Sequence, residues 1–227
     1  MYEDIRIAPE LHEVIYLAGL EIHGIEIAPE NAALNRLIEE KLAELRAHYA
    51  TPADARPLLE ATRKMYRAIG VDPTRTRPSS EALLRRVLQG KGLYTISTLV
   101  DSFNLLSLRV GISVGLYDMD HVRPPVELRL GQEEEGYPGI NKDFIHVNGR
   151  FCLADRDGPF GNPSSDSART RIRPNTRNVL ATYFVPAQIS ESTAQTLLQE
   201  TRDLLAQFHL FERMQPFLIV RDETKTA

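Results

Sequence analysis

The chain has one cysteine, Cys152, in 227 residues. An internal disulfide is thereby excluded, and a reducing cytoplasm is the expected compartment. Cys152 lies in an apolar run, where a buried and inert thiol is expected. No apolar run reaches bilayer-spanning length, so no membrane partner is expected. The opening MYEDIRIAPE is acidic and lacks the basic start and apolar middle of a signal peptide. The P-loop pattern, GxGxxG after a strand and GxSxG are all missing. A nucleotide-driven enzyme, a nucleotide cofactor and a serine hydrolase of the common kind are therefore unsupported. The six histidines are scattered, with no HExxH and no cysteine pair, which argues against zinc. Positive charge is not in excess either: the formal net charge is −4, so any contact with nucleic acid needs a local basic patch.

What is present is an ordinary soluble composition, 42% apolar and 26% charged. The length suits one large domain or two intimate lobes. Repeats and low-complexity tracts are absent. Val14 to Ile27 alternates in its later half and predicts one or two strands broken near Gly24. Pro29 suits the first turn of a helix whose apolar face runs from Leu34 through Leu45 to about His48. Thr51-Pro52 opens a second helical segment, broken or restarted at Pro57 and ended at Gly70. The loop Val71 to Arg77 follows, and a third helix runs from Pro78 to Gly90. Val114 to Tyr117 and Val126 to Leu130 read as strands, and Gly131 to Gly139 as an acidic loop. Asn148-Gly149, between Phe144–Val147 and Arg150–Leu153, predicts a hairpin. Gly158 to Thr170 reads as a functional Gly/Pro/Ser loop. Val179 to Val185 predicts a strand, Ser190 caps a long helix, Pro216 to Val220 adds a last strand, and Asp222 to Ala227 is a dispensable tail.

The most informative stretch is Gly92 to Asp120. Thr98 to Val110 predicts a helix, with Thr98 as N-cap, Asp101 in the capping-box position and Gly111 past the end. Leu99, Phe103, Leu106 and Val110 share one face, and most of the circumference is apolar. Ser97, Asp101 and Asn104 form a narrow polar stripe on it. Two readings stand: the stripe satisfies nearby backbone groups, or it lines a pocket and meets a ligand. Arg169, Arg171, Arg173 and Arg177 follow the Gly/Ser-rich loop, and alternation places the first three on one side of an extended segment. They read either as surface salt bridges or as phosphate contacts. Asp118, Asp120 and His121 read as solvated or capping groups, and no metal is expected.

The run VDSFNLLSLRVGISVGLYDMD, the later LRL, the stretch ending in ADRDG and the closing DSARTRIRPNTRNVL together resemble the B3/B4 domain. That domain occurs in the beta subunit of bacterial phenylalanyl-tRNA synthetase and as freestanding proteins. The resemblance spans roughly Pro78 to Pro186 and rests on several separated blocks in order. It implies an α/β (α+β) fold, a mixed sheet flanked by helices, with residues 1–227 as one domain. Within it, 1–77 would be a strand and helical part, 78–186 the motif-bearing core and 187–227 the closing helix, strand and tail. In the synthetase this domain hydrolyses the ester of phenylalanine tRNA mischarged with tyrosine. The freestanding form is thus expected to be a trans-editing deacylase of mischarged aminoacyl-tRNA, needing no cofactor. The alternative is a non-catalytic module binding tRNA or an amino acid.

Carried over by position, the family's VD-x-x-N is Val100, Asp101 and Asn104, and its asparagine faces the amino-acid pocket. The family's G-Q-P-M-H-A-F-D aligns with Gly111 to Asp118, which puts Gly115 in place of the editing histidine. The glutamate of its GGEHSG-like loop falls near Ser167 and Ala168, beside Asp166 and Thr170. The expected catalytic set is therefore Asp101, Asn104, Asp166, Ser167 and Thr170, with Ser97, Asn104 and Gly115 against the substrate. Arg75, Arg77, Arg169, Arg171, Arg173 and Arg177 are the expected tRNA contacts.

Overall fold

The centre of the fold is β2 (Ile15–His23), an apolar strand buried along nearly its whole length. It breaks at Gly24, as the sequence predicts, but a second strand does not follow. The computed structural model describes residues 1–141 and 143–220. The predicted tail, Asp222 to Ala227, lies outside them. Among these residues β2 pairs antiparallel on one side with β11 (Arg213–Ile219) and on the other with β10 (Val179–Pro186). β3 (Val114–Asp118) pairs with β10 and closes a sheet of order β11-β2-β10-β3. Pro216 is tolerated in β11 because that strand is an edge.

A second sheet has the order β1-β4-β7-β8-β9. Its strands are β1 (Ile5–Ile7), β4 (Val126–Leu130), β7 (Phe151–Asp155), β8 (Gly158–Asn162) and β9 (Ser165–Asp166). β1 joins β4 in parallel, and the remaining pairs are antiparallel, which makes the sheet mixed. The fold is thus α/β (α+β) with a mixed sheet, as the resemblance implies. Two corrections concern this sheet. The segments around Asn148-Gly149 do not pair with each other. β7 is taken by β4 and β8, and β6 (Phe144–His146) pairs with β5 (Gly136–Pro138) in a separate ribbon. The Gly158 to Thr170 stretch, read as a loop, contains β8 and β9.

Helices cover the outer face of the first sheet. α4 (Thr98–Val110) lies over β3 and α5 (Glu191–Phe208) over β2. Phe103 of α4 meets Tyr183 of β10, ring centroids 6.2 Å apart. The outer face of α4, with Leu105 and Leu108, packs on α1 (Ala32–His48) and α3 (Ser79–Leu88) in a second apolar cluster. α2 (Arg56–Ala68) takes Pro57 in its first turn, so that proline starts the helix and does not break it. α1 likewise opens at Asn31, whose side chain accepts from Ala33 and Leu34 N–H groups, and Pro29 precedes it. The N-cap of α4 is Ser97, one residue before the predicted Thr98. Its hydroxyl accepts from Val100 N–H at 3.4 Å, while Thr98 Oγ1 exchanges hydrogen bonds with the Ala28 backbone.

Candidate functional site

The open edge of β3 is where the predicted residues converge. Side chains alternate along a strand, so Val114 and Leu116 share the helix-covered side with Tyr183, while Gly115 and Tyr117 face the second sheet. Tyr117 meets Phe160 of β8 edge to face at 4.9 Å. Its phenol runs back over Gly115 and under Gly161. A Cβ built on either glycine would collide with the Tyr117 hydroxyl, so both positions exclude a side chain while Tyr117 holds this pose. The volume freed by glycine at position 115 is thus refilled from within the chain.

Tyr117 is fully buried, and among the described residues its hydroxyl has no partner in hydrogen-bonding geometry. The same holds for Thr182 Oγ1, in register with Gly115 on β10. Burial first, and then the facing charge of Asp166, push the Tyr117 phenol well above its ordinary value. Tyr137 of β5 is raised by the same two causes. Its hydroxyl donates to Ser165 O at 2.7 Å and accepts from Asn162 Nδ2 at 2.8 Å. Asp166 therefore looks onto two buried phenols.

The segment from Ser165 to Thr170 follows the edge of β3. Asp166 pairs with Gly161, Ser167 N–H donates to Phe160 O at 2.9 Å, and Asp118 N–H donates to Thr170 O at 2.8 Å. Ser167 and Thr170 are buried. Ser167 Oγ accepts from Arg169 N–H at 3.0 Å, and Thr170 Oγ1 donates to Phe160 O at 3.5 Å. Asp166 is half-buried at the rim. The β5-β6 ribbon overhangs it: Ile140 N–H donates to Asp166 O at 3.3 Å, and Ile140 and Phe144 expose their side chains beside it.

The α4 stripe divides. Asp101 accepts from Ile96 N–H at 3.0 Å and is 3% exposed, so it matches the capping reading. Burial raises its pKa, and the N–H groups of Ile96 and Ser97 oppose that rise. Ser97 caps the same helix. Asn104 is different. Ser102 and Arg109 face α5, meeting His209 at 3.2 Å and Glu200 at 3.4 Å. Asn104 projects about 140–160° around the helix from those two, on the flank past the edge of β3. It is partly exposed. The structure thus gathers Gly115, Asp166, Ser167 and Thr170 around Tyr117, with Asn104 on the flanking helix. Ser97 and Asp101 sit at the start of that helix.

The arginines also divide. Arg169 forks onto Asp155, Nη1–Oδ2 2.9 Å and Nη2–Oδ1 2.8 Å, with the carboxylate side chain fully buried. Arg173 donates to the carbonyls of Arg171, Ala168 and Arg169. Both guanidinium groups thus have partners within the fold. Arg77 lies 3.7 Å from the buried Glu81, which Arg63 binds more closely at 2.7 Å. Arg177 stands 3.7 Å from the exposed Glu26. Arg75 and Arg171 are exposed, and Arg171 has no carboxylate partner among the described residues. Asp118 accepts from Asp120 N–H and Thr176 Oγ1, as a capping group does. Among the described residues no three His, Cys, Asp or Glu side chains are grouped to hold a metal. No helix there is long and apolar enough to cross a membrane.

Sequence reasoning missed Tyr117, Tyr137 and Gly161. Paired with Gly115, Tyr117 two residues on along the same pleat was the available signal: a glycine inside a strand marks a close approach.

Comparison with known proteins gives consistent matches. The chain is 27% identical over 124 residues to the phenylalanine--tRNA ligase beta subunit of Xylella fastidiosa, covering 53% of this chain and 15% of that one. It is 24% identical over 142 residues to the same subunit of Bartonella quintana, covering 60% and 17%. The uncharacterized protein YhzB of Bacillus subtilis is 23% identical over 109 residues, covering 48% and 46%. The chain thus spans less than half the length of each of these relatives. Among solved structures, an N-terminal fragment of the phenylalanyl-tRNA synthetase beta subunit of Pyrococcus horikoshii aligns at 14% identity and a TM-score of 0.45, over 92% of this chain and 54% of that one. The B3/4 domain model matches residues 61–213, most of the chain and all of the β3 edge. The chain belongs to the B3/4 domain family.

Proposed function

We propose that this protein binds the charged end of tRNA at the β3 edge and hydrolyses the ester of mischarged aminoacyl-tRNA. The observation that carries the reading is Asp166, a half-buried carboxylate in a B3/4 chain whose charge faces the buried phenols of Tyr117 and Tyr137. Water attacks the ester carbonyl. Its oxygen forms the new C–O bond, the bond to the terminal ribose breaks, and the ribose oxygen takes the proton. Asp166 orients the water and relays that proton. Asn104 holds the amino group or the carbonyl. Ser167 and Thr170, spent on internal hydrogen bonds, keep the rim in place. An aminoacyl ester is already reactive, so positioning supplies much of the effect. Arg171, Arg75 and Arg177 are the phosphate contacts. Residues 1–227 act as one unit in the cytoplasm, without a cofactor.

A second reading, a non-catalytic tRNA- or amino-acid-binding module, is favoured by one observation. Tyr117 fills the space beside Gly115, where an amino-acid side chain would otherwise enter. A deacylation screen over correctly and incorrectly charged tRNAs separates the two. Turnover of at least one mischarged species is expected, lost in Asp166→Asn and lowered in Asn104→Ala with thermal unfolding nearly unchanged. It should survive exhaustive chelation. Binding without turnover across the panel favours the second reading.

A further inference from the structure

The segment from Lys91 to Ser97 joins α3 to α4 without regular structure. It is fixed at both ends. Arg86 Nε donates to Gly92 O at 2.7 Å, and Ile96 N–H donates to the buried Asp101 carboxylate at 3.0 Å. A tether this tight ordinarily serves to bury side chains. Here it leaves Tyr94 57% and Ile96 59% exposed. The Arg86 guanidinium lies over one face of the Tyr94 ring at 3.9 Å and donates to its hydroxyl at 3.0 Å. That contact fixes the ring plane, and the ring's exposure leaves its other face to solvent.

The surroundings are cationic within an acidic protein. Arg46 reaches under the segment, donating to Val87 O and Lys91 O, and the half-buried Arg86 and the exposed Lys91 complete the rim. Two carboxylates approach: Glu39 at Gly92, and Asp101, which is buried and held by Ile96 N–H. A rigid aromatic face with cations on its border has the chemistry of a base-stacking platform. Each base has a π-face to lay on the ring and a phosphate to meet the rim.

We propose that Tyr94, backed by Arg86 and bordered by Lys91 and Arg46, stacks an unpaired base of single-stranded RNA. The site is separate from the Asp166 rim. It rests on the functional reading above only for the choice of RNA as polymer.

The chain has no tryptophan, so Tyr94→Trp introduces a single indole reporter. Oligoadenylate RNA titrated into that full-length variant should quench the indole saturably, with affinity falling as salt rises. In the otherwise unaltered protein, Tyr94→Ala should weaken binding of a labelled oligoadenylate about tenfold with thermal unfolding unmoved. Lys91→Ala should weaken it about threefold and flatten the salt dependence. Equal affinity of the Tyr94→Ala variant and the parent would overturn the proposal. So would an indole that ignores RNA but shifts with rising protein concentration, which would make the patch a protein interface. The hydrolytic reading is tested apart from this. Asp166→Asn should abolish turnover without changing the indole titration, and Tyr94→Ala should raise KM without changing kcat. A failed deacylation screen with intact quenching removes the hydrolytic reading alone.

Discussion

The Tyr117 hydroxyl stands where a side chain at Gly115 would be. The two residues lie on the same face of β3, and the larger closes the space the smaller leaves. Gly115→Ala should therefore be costly, about 2 kcal/mol of stability lost through overpacking. The same substitution in a Tyr117→Leu background should cost much less. A double-mutant cycle read by urea unfolding measures the coupling, expected at about 1 kcal/mol or more. Additive costs would mean that Tyr117 does not occupy that space.

Tyr117→Phe removes a buried hydroxyl that faces the Asp166 carboxylate without aligned hydrogen-bond geometry among the described residues. Losing such a group spares its desolvation cost, so the variant should be neutral or about 1 kcal/mol more stable. A drop of more than about 1 kcal/mol in denaturant unfolding would show a hydrogen bond worth keeping.

Substrate choice follows from the same contact. With the space beside Gly115 taken, tyrosyl esters on phenylalanine tRNA should be poor substrates. Esters of smaller or aliphatic amino acids should be better by about tenfold or more in kcat/KM, the order that a shaped apolar pocket achieves. Side-by-side hydrolysis of the two ester classes decides it, and preference for the tyrosyl ester would contradict the geometry.

Arg169 and Arg171 should behave oppositely. Arg169→Ala leaves the buried Asp155 carboxylate with the N–H groups of Arg123 and Asp157 but no countercharge in its fork, at a cost of about 3 kcal/mol, and lysine should rescue it poorly because it lacks the planar fork. Arg171→Ala should change stability by less than about 0.5 kcal/mol. It should weaken tRNA binding and reduce the salt slope by about one. Unfolding curves and filter binding across a salt series report the two effects separately.

His209 supplies a pH dependence. Its ring is buried against Ser102, and burial lowers its pKa, against backbone contacts at Glu26 and Thr98. The folded value lies below the unfolded one near 6.5. Its contribution to stability is therefore present above pH 6.5 and is lost as pH falls through the folded pKa. Between the two values the loss is about 1.4 kcal/mol per pH unit. Thermal unfolding from pH 7.5 to 5 should show this slope, and His209→Gln should flatten it.

Periodicity located the elements that bury one clear face. Leu99, Phe103 and Leu106 with Gly111 past the end marked α4, and the inner stripe of α5 was equally plain. The Asn148-Gly149 signal failed because a turn motif sees only its neighbours, while the flanking segments had stronger partners in β4, β8 and β5. The glycines of β8 hid a strand for a related reason. Gly161 is needed to admit Tyr117, and glycine lowers strand propensity wherever it stands. At the site, Asp166 and Asn104 came from alignment with the family's motifs. The Tyr117 phenol did not, because its one local mark is Gly115, two residues back on the same pleat. The fate of Arg169 was equally hidden, since its partner Asp155 is brought near only by the fold.

The matched region, 61–213, omits β2, yet β2 lies between β10 and β11. Ile22 pairs with Val179 and Ile15 with Pro186, so on the ribosome β2 waits for partners translated well after it. Until then its apolar faces have no sheet to join, and closing so long a loop makes the pairing slow. A fragment cut to 61–213 would leave β10 without β2 and would stop at the first residue of β11. Holdase chaperones would find their target in this nascent segment, and refolding yield in dilute buffer should fall as β2 is made more hydrophobic.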